Sequence, residues 1–244
     1  MKTNIIILVI TALTITACKK DHLLDCFKSA GETITENRNI NPFININLTD
    51  NVDLIIHTDT TYFVKVTAGD NLINGIITEL NNNTLYIRNE NRCNWMRSFK
   101  NIYIVEIGMN QPEIIHYNGS GNITCPDTIR KEDFIFDSFG GSGTINFNFN
   151  SNKIHLNDHI GRADIHAFGF ANESYIYVND VGVLDASGMN TNYTYITNNS
   201  TGDCRIKVKD ELGFEIKYTG NIFYTGNPHI FSQNFTGTGI LIHY

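Results

Sequence analysis

Charge, alanine and leucine are scarce in this chain of 244 residues. Charged residues make up 18%, against roughly 25% in an ordinary soluble domain, and there are only 8 Ala and 13 Leu. Helical bundles are built from Ala, Leu, Glu and Lys, so the shortage excludes that class. A basic surface is missing as well: 18 Lys plus Arg face 25 Asp plus Glu, a formal net charge of −7. Such a balance excludes a nucleic-acid partner held by phosphate contacts. What is abundant is complementary: 35 Ile, 33 Asn, 24 Thr and 19 Gly. β-Branched residues favour strands, while Asn and Gly favour tight turns. Apolar residues run along the whole chain, which argues against disorder. The composition specifies an all-β protein.

Residues 1–17 read as a lipoprotein signal peptide. Lys2 supplies the positive charge, the run from Ile5 to Ile15 is apolar, and Ile15-Thr16-Ala17-Cys18 closes it. The run is shorter than the roughly 20 residues needed to span a bilayer. A small-residue site ending at Cys resembles the bacterial lipobox, so Cys18 is the expected lipidation site; an ordinary secretory signal is the alternative. Acyl chains contribute about 0.8 kcal/mol per buried methylene, enough for a firm membrane tether when several are attached. Lys19, Lys20 and Asp21 place no acid directly after the Cys, which points to the outer membrane and leaves the displaying leaflet open. Residues 18–39 then form the lipidated Cys with its N-terminal segment, and 40–244 one continuous domain.

A glycine-rich unit recurs from residue 118. Asn118-Gly119-Ser120-Gly121-Asn122-Ile123 and Gly140-Gly141-Ser142-Gly143-Thr144-Ile145 are its clearest copies. Aligning Gly121, Gly143, Ala163, Leu184, Gly202, Gly220 and Gly239 gives spacings of 22, 20, 21, 18, 18 and 19 residues. Strands of period two lie between the units, as in Ile154-His155-Leu156 and Tyr175-Ile176-Tyr177-Val178. A period near 20 with short strands predicts a parallel β-helix, in which each coil buries its inner face only by stacking on the next. The position two beyond each aligned residue reads Ile123, Ile145, Ile165, Ala186, Cys204, Ile222 and Leu241, the expected core column. Before the repeats, Asn81-Asn82-Asn83 separates two strand-like runs and reads as a hairpin turn.

Four cysteines follow Cys18: Cys26, Cys93, Cys125 and Cys204. Cys125 and Cys204 lie four coils apart, roughly 19 Å at the strand spacing. A disulfide tolerates a Cα separation of at most about 7 Å. Those two are therefore expected as buried free thiols. Cys26 and Cys93 both precede the repeats, and a bridge between them would tie the N-terminal segment to the first layer; an unpaired set is the alternative.

The Gly-Ser-Gly-Asn/Thr-Ile units, the closing Ile222-Phe223-Tyr224-Thr225-Gly226-Asn227-Pro228 and the terminal Thr236-Gly237-Thr238-Gly239 resemble the bacterial family described as putative auto-transporter adhesin, head GIN domain. Phe43 to Ile46 and Ala68-Gly69-Asp70-Asn71-Leu72 add to the likeness, which spans roughly residues 40–244. Cys26-Phe27-Lys28 and Arg92-Cys93-Asn94-Trp95 resemble its Bacteroidota lipoprotein branch. The resemblance implies a right-handed parallel β-helix on the cell envelope, usually without an assigned function. Ala163 and Leu184 depart from it, standing where Gly is usual.

The chemistry-bearing residues point to binding. Asp164, Asp185 and Asp203 occupy equivalent positions in the alignment, as either a surface column for a hard cation such as Ca²⁺ or a turn ladder bonded to nearby backbone; the turn ladder is expected. His155, His159 and His166 lack metal-ligand spacing on a helix, so no metal centre is expected. Ser142 is not a nucleophile elbow, because no strand–helix turn follows it. Arg162, Lys207 and Lys209 join no evident catalytic constellation. No catalytic residue and no cofactor are expected. Tyr175, Tyr177, Tyr193 and Tyr195 are candidate contacts for a glycan or protein ligand; simple strand propensity of Tyr is the alternative, and the expected one. The apolar last copy, Gly239 to Tyr244, leaves an open edge that is expected either to meet a second copy, making the C-terminal coil a candidate for homo-oligomer pairing, or to fold under the N-terminal region. The reading is a lipid-anchored binding, adhesion or structural module. Its alternative is a carbohydrate-processing β-helix of the polysaccharide lyase or hydrolase kind, which would need paired carboxylates on one face.

Overall fold

Alternating burial along Ile- and Phe-rich segments, one residue in and the next out, drives these sequences into strands. A computed structural model of the chain describes residues 29–58, 61–92 and 101–244. Cys18, Cys26 and Cys93 lie outside those residues, and with them the expected signal peptide, lipid attachment and Cys26–Cys93 bridge.

The first part is a mixed-direction layer. β1 (Thr33–Arg38) pairs antiparallel with β4 (Phe63–Gly69), which pairs antiparallel with β7 (Tyr103–Met109). β1 lies before residue 40, where the sequence placed the start of the folded part. β5 (Ile76–Asn81) and β6 (Thr84–Asn89) form a hairpin closed by Asn81 opposite Thr84. Asn82 and Asn83 take φ values of 47° and 62°, the left-handed pair that a tight two-residue hairpin turn requires and Asn tolerates. β2 (Asn45–Asp50) and β3 (Asp53–Thr58) begin the first coil, parallel to β8 (Ile114–Gly119) and β9 (Ile123–Ile129) respectively.

From β8 onward every pairing is parallel. β10 (Asp133–Gly141), β11 (Thr144–Gly161), β12 (Asp164–Asp180), β13 (Val183–Ser200) and β14 (Cys204–Ile216) stack in order. β15 (Ile222–Thr225) and β16 (His229–Phe235) both lie on β14, and β17 (Leu241–His243) lies on β15. The molecule is a parallel β-solenoid, and among the described residues it contains no α-helix. Its interior is packed with stacked aliphatic residues and an aromatic cluster in which Phe134, Phe136, Phe147 and Phe149 sit 5.3–5.7 Å apart.

The register corrects one coil of the expected core column. Ile123, Ile145 and Ile165 are in line, but Ile165 pairs with Leu184, Leu184 with Cys204, Cys204 with Ile222, and Ile222 with Leu241. Ala186 pairs with Ile206 instead. The fourth corner residue is Gly182, not Leu184. At this corner a Cβ on Gly143, Gly202, Gly220 or Gly239 would lie 2.0–2.1 Å from the carbonyl oxygen of the corner below, and the oxygen below Gly202 is that of Gly182. Close backbone approach is what favours glycine at these four corners; the third corner is held by the buried Ala163.

The asparagine excess forms ladders on the outside. Asn172 donates to Asn152 at 3.2 Å and Asn192 donates to Asn172 at 2.9 Å; on another corner Asn199 donates to Asn179 at 2.7 Å. Each amide has both a donor and an acceptor, so a column of them satisfies itself coil by coil.

Candidate binding face

The second halves of β11, β12 and β13, with β10, β14 and β16, present one continuous outward sheet face. Register sets its columns: Asp133, Lys153, Glu173, Tyr193 and Glu211 in one, Ile135, His155, Tyr175, Tyr195 and Gly213 in the next, and Asp137, Asn157, Tyr177, Thr197 and Glu215 in the third. The alternation of the strands turns all these side chains away from the core. Tyr175, Tyr177, Tyr193 and Tyr195 therefore share one face.

Their rings form rows across the coils. His155 stacks on Tyr175 at 5.1 Å, Tyr175 meets Tyr193 at 5.7 Å, and Tyr193 stacks on Phe231 at 5.3 Å. Tyr195 reaches the same Phe231 at 6.4 Å. A second row runs from Phe139 through His159, stacked at 4.3 Å, to Tyr177 at 5.7 Å. Phe139 and Phe231 are 47% and 41% exposed, so both rows are open to a ligand. Sequence reasoning missed these two phenylalanines. Phe231 comes within reach because Gly213 lies beneath it; a Cβ there would be 2.5 Å from the Phe231 ring and 2.6 Å from Tyr195. A lone strand glycine often marks a close approach of this kind, and that was the signal available.

Several polar groups on this face are paired. Tyr175 donates to Glu173 at 3.2 Å, and Lys153 lies 3.8 Å from the same carboxylate. Asp137 lies between His159 at 3.1 Å and His116 at 3.6 Å, and also accepts from Asn157 at 3.0 Å. His155 sits 3.3 Å from Asp133. Partial burial, then nearby glutamates, push the phenols of Tyr175, Tyr193 and Tyr195 up from their ordinary values. The rings thus stay neutral at physiological pH, presenting hydroxyl donors at the edge and apolar faces.

Other candidate residues are placed as follows. Asp164, Asp185 and Asp203 do not form a column. Asp164 pairs with Val183, which interrupts it, and Asp185 lies beside His166 and Arg205. The two-residue register correction that moves Ala186 also moves Asp185. Asp164 lies 3.2 Å from His166, and Asp203 accepts from the backbone and side-chain N–H groups of Asn221 at 2.9 and 3.0 Å. Despite burial that raises it, Asp185 is held below the usual carboxylate range by the Ser187 hydroxyl and amide, which donate at 2.6 and 3.0 Å. In the corner column proper, Asn122 donates its N–H to Asp53 and accepts from Thr144, while Asn221 accepts from Ile240. This is a turn ladder of side-chain oxygens on the backbone of the next coil. Among the described residues, no group of three His, Cys, Asp or Glu is arranged to hold a metal ion. Cys125 and Cys204 are buried and free. Burial pushes the Cys125 thiol up to about 12 and that of Cys204 higher still, so neither is a nucleophile.

Comparison with known proteins gives a consistent picture. The family model described as "Putative auto-transporter adhesin, head GIN domain" matches residues 42–228. A crystal structure of a putative adhesin from Bacteroides fragilis superposes with a TM-score of 0.79 at 18% identity, covering 87% of this chain and 97% of that one. A putative adhesin from Parabacteroides merdae gives 0.69 at 17% identity, covering 88% and 98%. A putative lipid binding protein from Parabacteroides distasonis gives 0.58 at 16%, covering 89% and 99%. At these identities the likeness is one of fold. No curated protein matches the chain.

Proposed function

The chain belongs to the family described as putative auto-transporter adhesin, head GIN domain, and from that premise we propose that it is a non-catalytic binding module of the cell envelope. Its ligand-contacting surface is the aromatic face. The observation that carries this reading is the pair of open ring rows, His155–Tyr175–Tyr193–Phe231 and Phe139–His159–Tyr177. Rigid aromatic rings bind at low entropic cost and dominate recognition surfaces. A glycan fits them, because the apolar face of a pyranose covers a ring while its hydroxyls reach the flanking carboxylates and amides.

Lipidation at Cys18 would tether the module to the outer membrane, in keeping with the adhesin description of its relatives. Self-association fits the other end of the solenoid. Among the described residues β16 pairs with β14 and β17 with β15, and Ile240 and Phe235 beside these edges are 55% and 50% exposed. Two copies could join these edges about a twofold axis, an arrangement that closes on itself.

The binding reading is tested by a glycan panel read by calorimetry, with Tyr175→Ala, Tyr193→Ala and Phe231→Ala in parallel. Binding weakened by all three variants is expected. Release of shortened oligosaccharides during the incubation would refute the non-catalytic reading. Binding indifferent to all three would refute the choice of face.

A further inference from the structure

A second concave site lies around the corner from the aromatic face, where the solenoid narrows. Between Ala186 and Asn190, β13 carries Ser187, Gly188 and Met189 with no counterparts in β14, whose Lys207 follows directly after Ile206. From Gly182 to Gly202 the coil takes 20 residues; from Gly202 to Gly220 it takes 18. A wide coil above a narrow one leaves a step. Beneath it opens a cleft of about 580 Å³, lined by Phe170, Asn190, Asn192, Lys207, Lys209 and Asn227, among others. That volume falls within the roughly 300–1,000 Å³ of small-ligand sites.

The lining has a definite chemistry. Phe170, Asn190 and Lys207 occupy one outward column on three successive coils, so the ring and the ammonium are about two strand spacings, roughly 10 Å, apart at the backbone. Asn192 and Lys209 follow two residues further along. Lys207 has no carboxylate within ion-pair distance among the described residues. Among the described residues Lys209 meets only the adjacent Asp210, at 3.5 Å with both side chains more than half exposed. Exposed neighbours of that kind hold each other weakly. Asn192 uses its amide N–H on Asn172, while Asn190 and Asn227 make no side-chain hydrogen bond among the described residues. The far wall is fixed by Gly226. Its φ is +100°, and a Cβ there would lie 1.9 Å from the Val208 carbonyl, so only glycine lets this segment close onto β14.

We propose that this cleft binds an acidic saccharide unit, a sugar bearing a carboxylate or sulfate, with Lys207 and Lys209 meeting the anion, the free amides meeting hydroxyls, and Phe170 covering the ring's apolar face. Two ammoniums gathered beside an aromatic ring on a chain of net charge −7 run against the overall charge balance and select for an anion. Asn192 lines the cleft, and the next residue, Tyr193, belongs to the aromatic row, so a long glycan could continue from one to the other. The inference rests on the binding-module reading and narrows its ligand.

The test uses the full chain and three tetrasaccharides: an oligogalacturonate, a heparin-derived fragment and neutral maltotetraose. The acidic probes are expected to bind more tightly than the neutral one, with affinity falling as salt rises. Lys207→Gln with Lys209→Gln should weaken acidic binding about tenfold or more while leaving the neutral probe and the unfolding temperature unchanged. The two acidic arms separate carboxylate from sulfate preference, and either preference supports the proposal. Equal binding of all three probes, unaffected by the double variant, overturns the proposal and leaves the aromatic-face reading standing. No saccharide binding at all overturns both. Capture by anionic phospholipid vesicles without saccharide binding also overturns the proposal, because the lysines would then serve a membrane surface.

Discussion

Asp158 is fully buried, and neither of its carboxylate oxygens has a hydrogen-bond partner. Its register neighbours on the inner face are Ser138 and Val178, and one of its oxygens lies 2.1 Å from where a Cβ on Gly182 would be. Burial pushes its pKa from the ordinary 3.8 up to about 6; Ser138 and His159 offset part of that and Asp180 adds to it. Taken at 1.36 kcal/mol per pH unit, the displacement amounts to about 3 kcal/mol. Because the folded-state pKa is the raised one, the folded chain holds this proton more tightly than the unfolded chain. The contribution is fully present below about pH 4, is lost as pH rises through about 6, and leaves an uncompensated charge above that. Asp158→Asn substitutes a neutral group of the same shape, nearly identical to the protonated acid. At about pH 7.5 the variant should be more stable by up to about 3 kcal/mol, and by about pH 3 the two proteins should coincide. For a chain of this size that gap is about 6–12 °C in Tm. Thermal unfolding followed by circular dichroism across this pH range measures it. A gap independent of pH, or an Asn variant less stable at about pH 7.5, would refute the reasoning.

Leu184→Ala should cost about 2–5 kcal/mol in urea unfolding, as expected for a truncated core residue. A negligible cost would mean that Leu184 is not in the stacked column. Cys125 and Cys204 should resist a thiol-specific disulfide reagent in the native protein and react stoichiometrically once it is unfolded; rapid native labelling would contradict their burial. Asn172→Ala removes both bonds of one ladder rung and should lower stability by about 1–3 kcal/mol, read by the same urea titration. Gly213→Val should displace the Phe231 ring and weaken ligand binding as much as Phe231→Ala does, with a smaller effect on stability; unchanged affinity would remove Phe231 from the contact surface.

What sequence reading could reach depended on whether a feature repeats. The period near 20, the inward isoleucines and the Asn81–Asn83 hairpin were legible because each is local or recurs. The antiparallel pairing of β1 with β4 and of β4 with β7 occurs once and joins distant segments, so no periodicity announces it. Asp158 sits in Asn157-Asp158-His159, a tripeptide that reads as solvent-facing; only its strand parity, shared with the buried Leu156, turns it inward. The fourth corner carries the main consequence. Taking Leu184 as the corner put the shortening of the coils at the step from Leu184 to Gly202. With Gly182 in that role the corners run 22, 20, 19, 20, 18 and 19 residues apart, and the drop falls between the β13 and β14 coils. That is the step under which the lysine-lined cleft opens. A two-residue error in one coil thus had two effects at once: it assembled an aspartate column that does not exist and concealed the step beneath which Lys207 and Lys209 line the cleft. In a solenoid, where every outward column is defined by register alone, a surface site can be read from sequence only after the corner residue of each coil is correctly assigned.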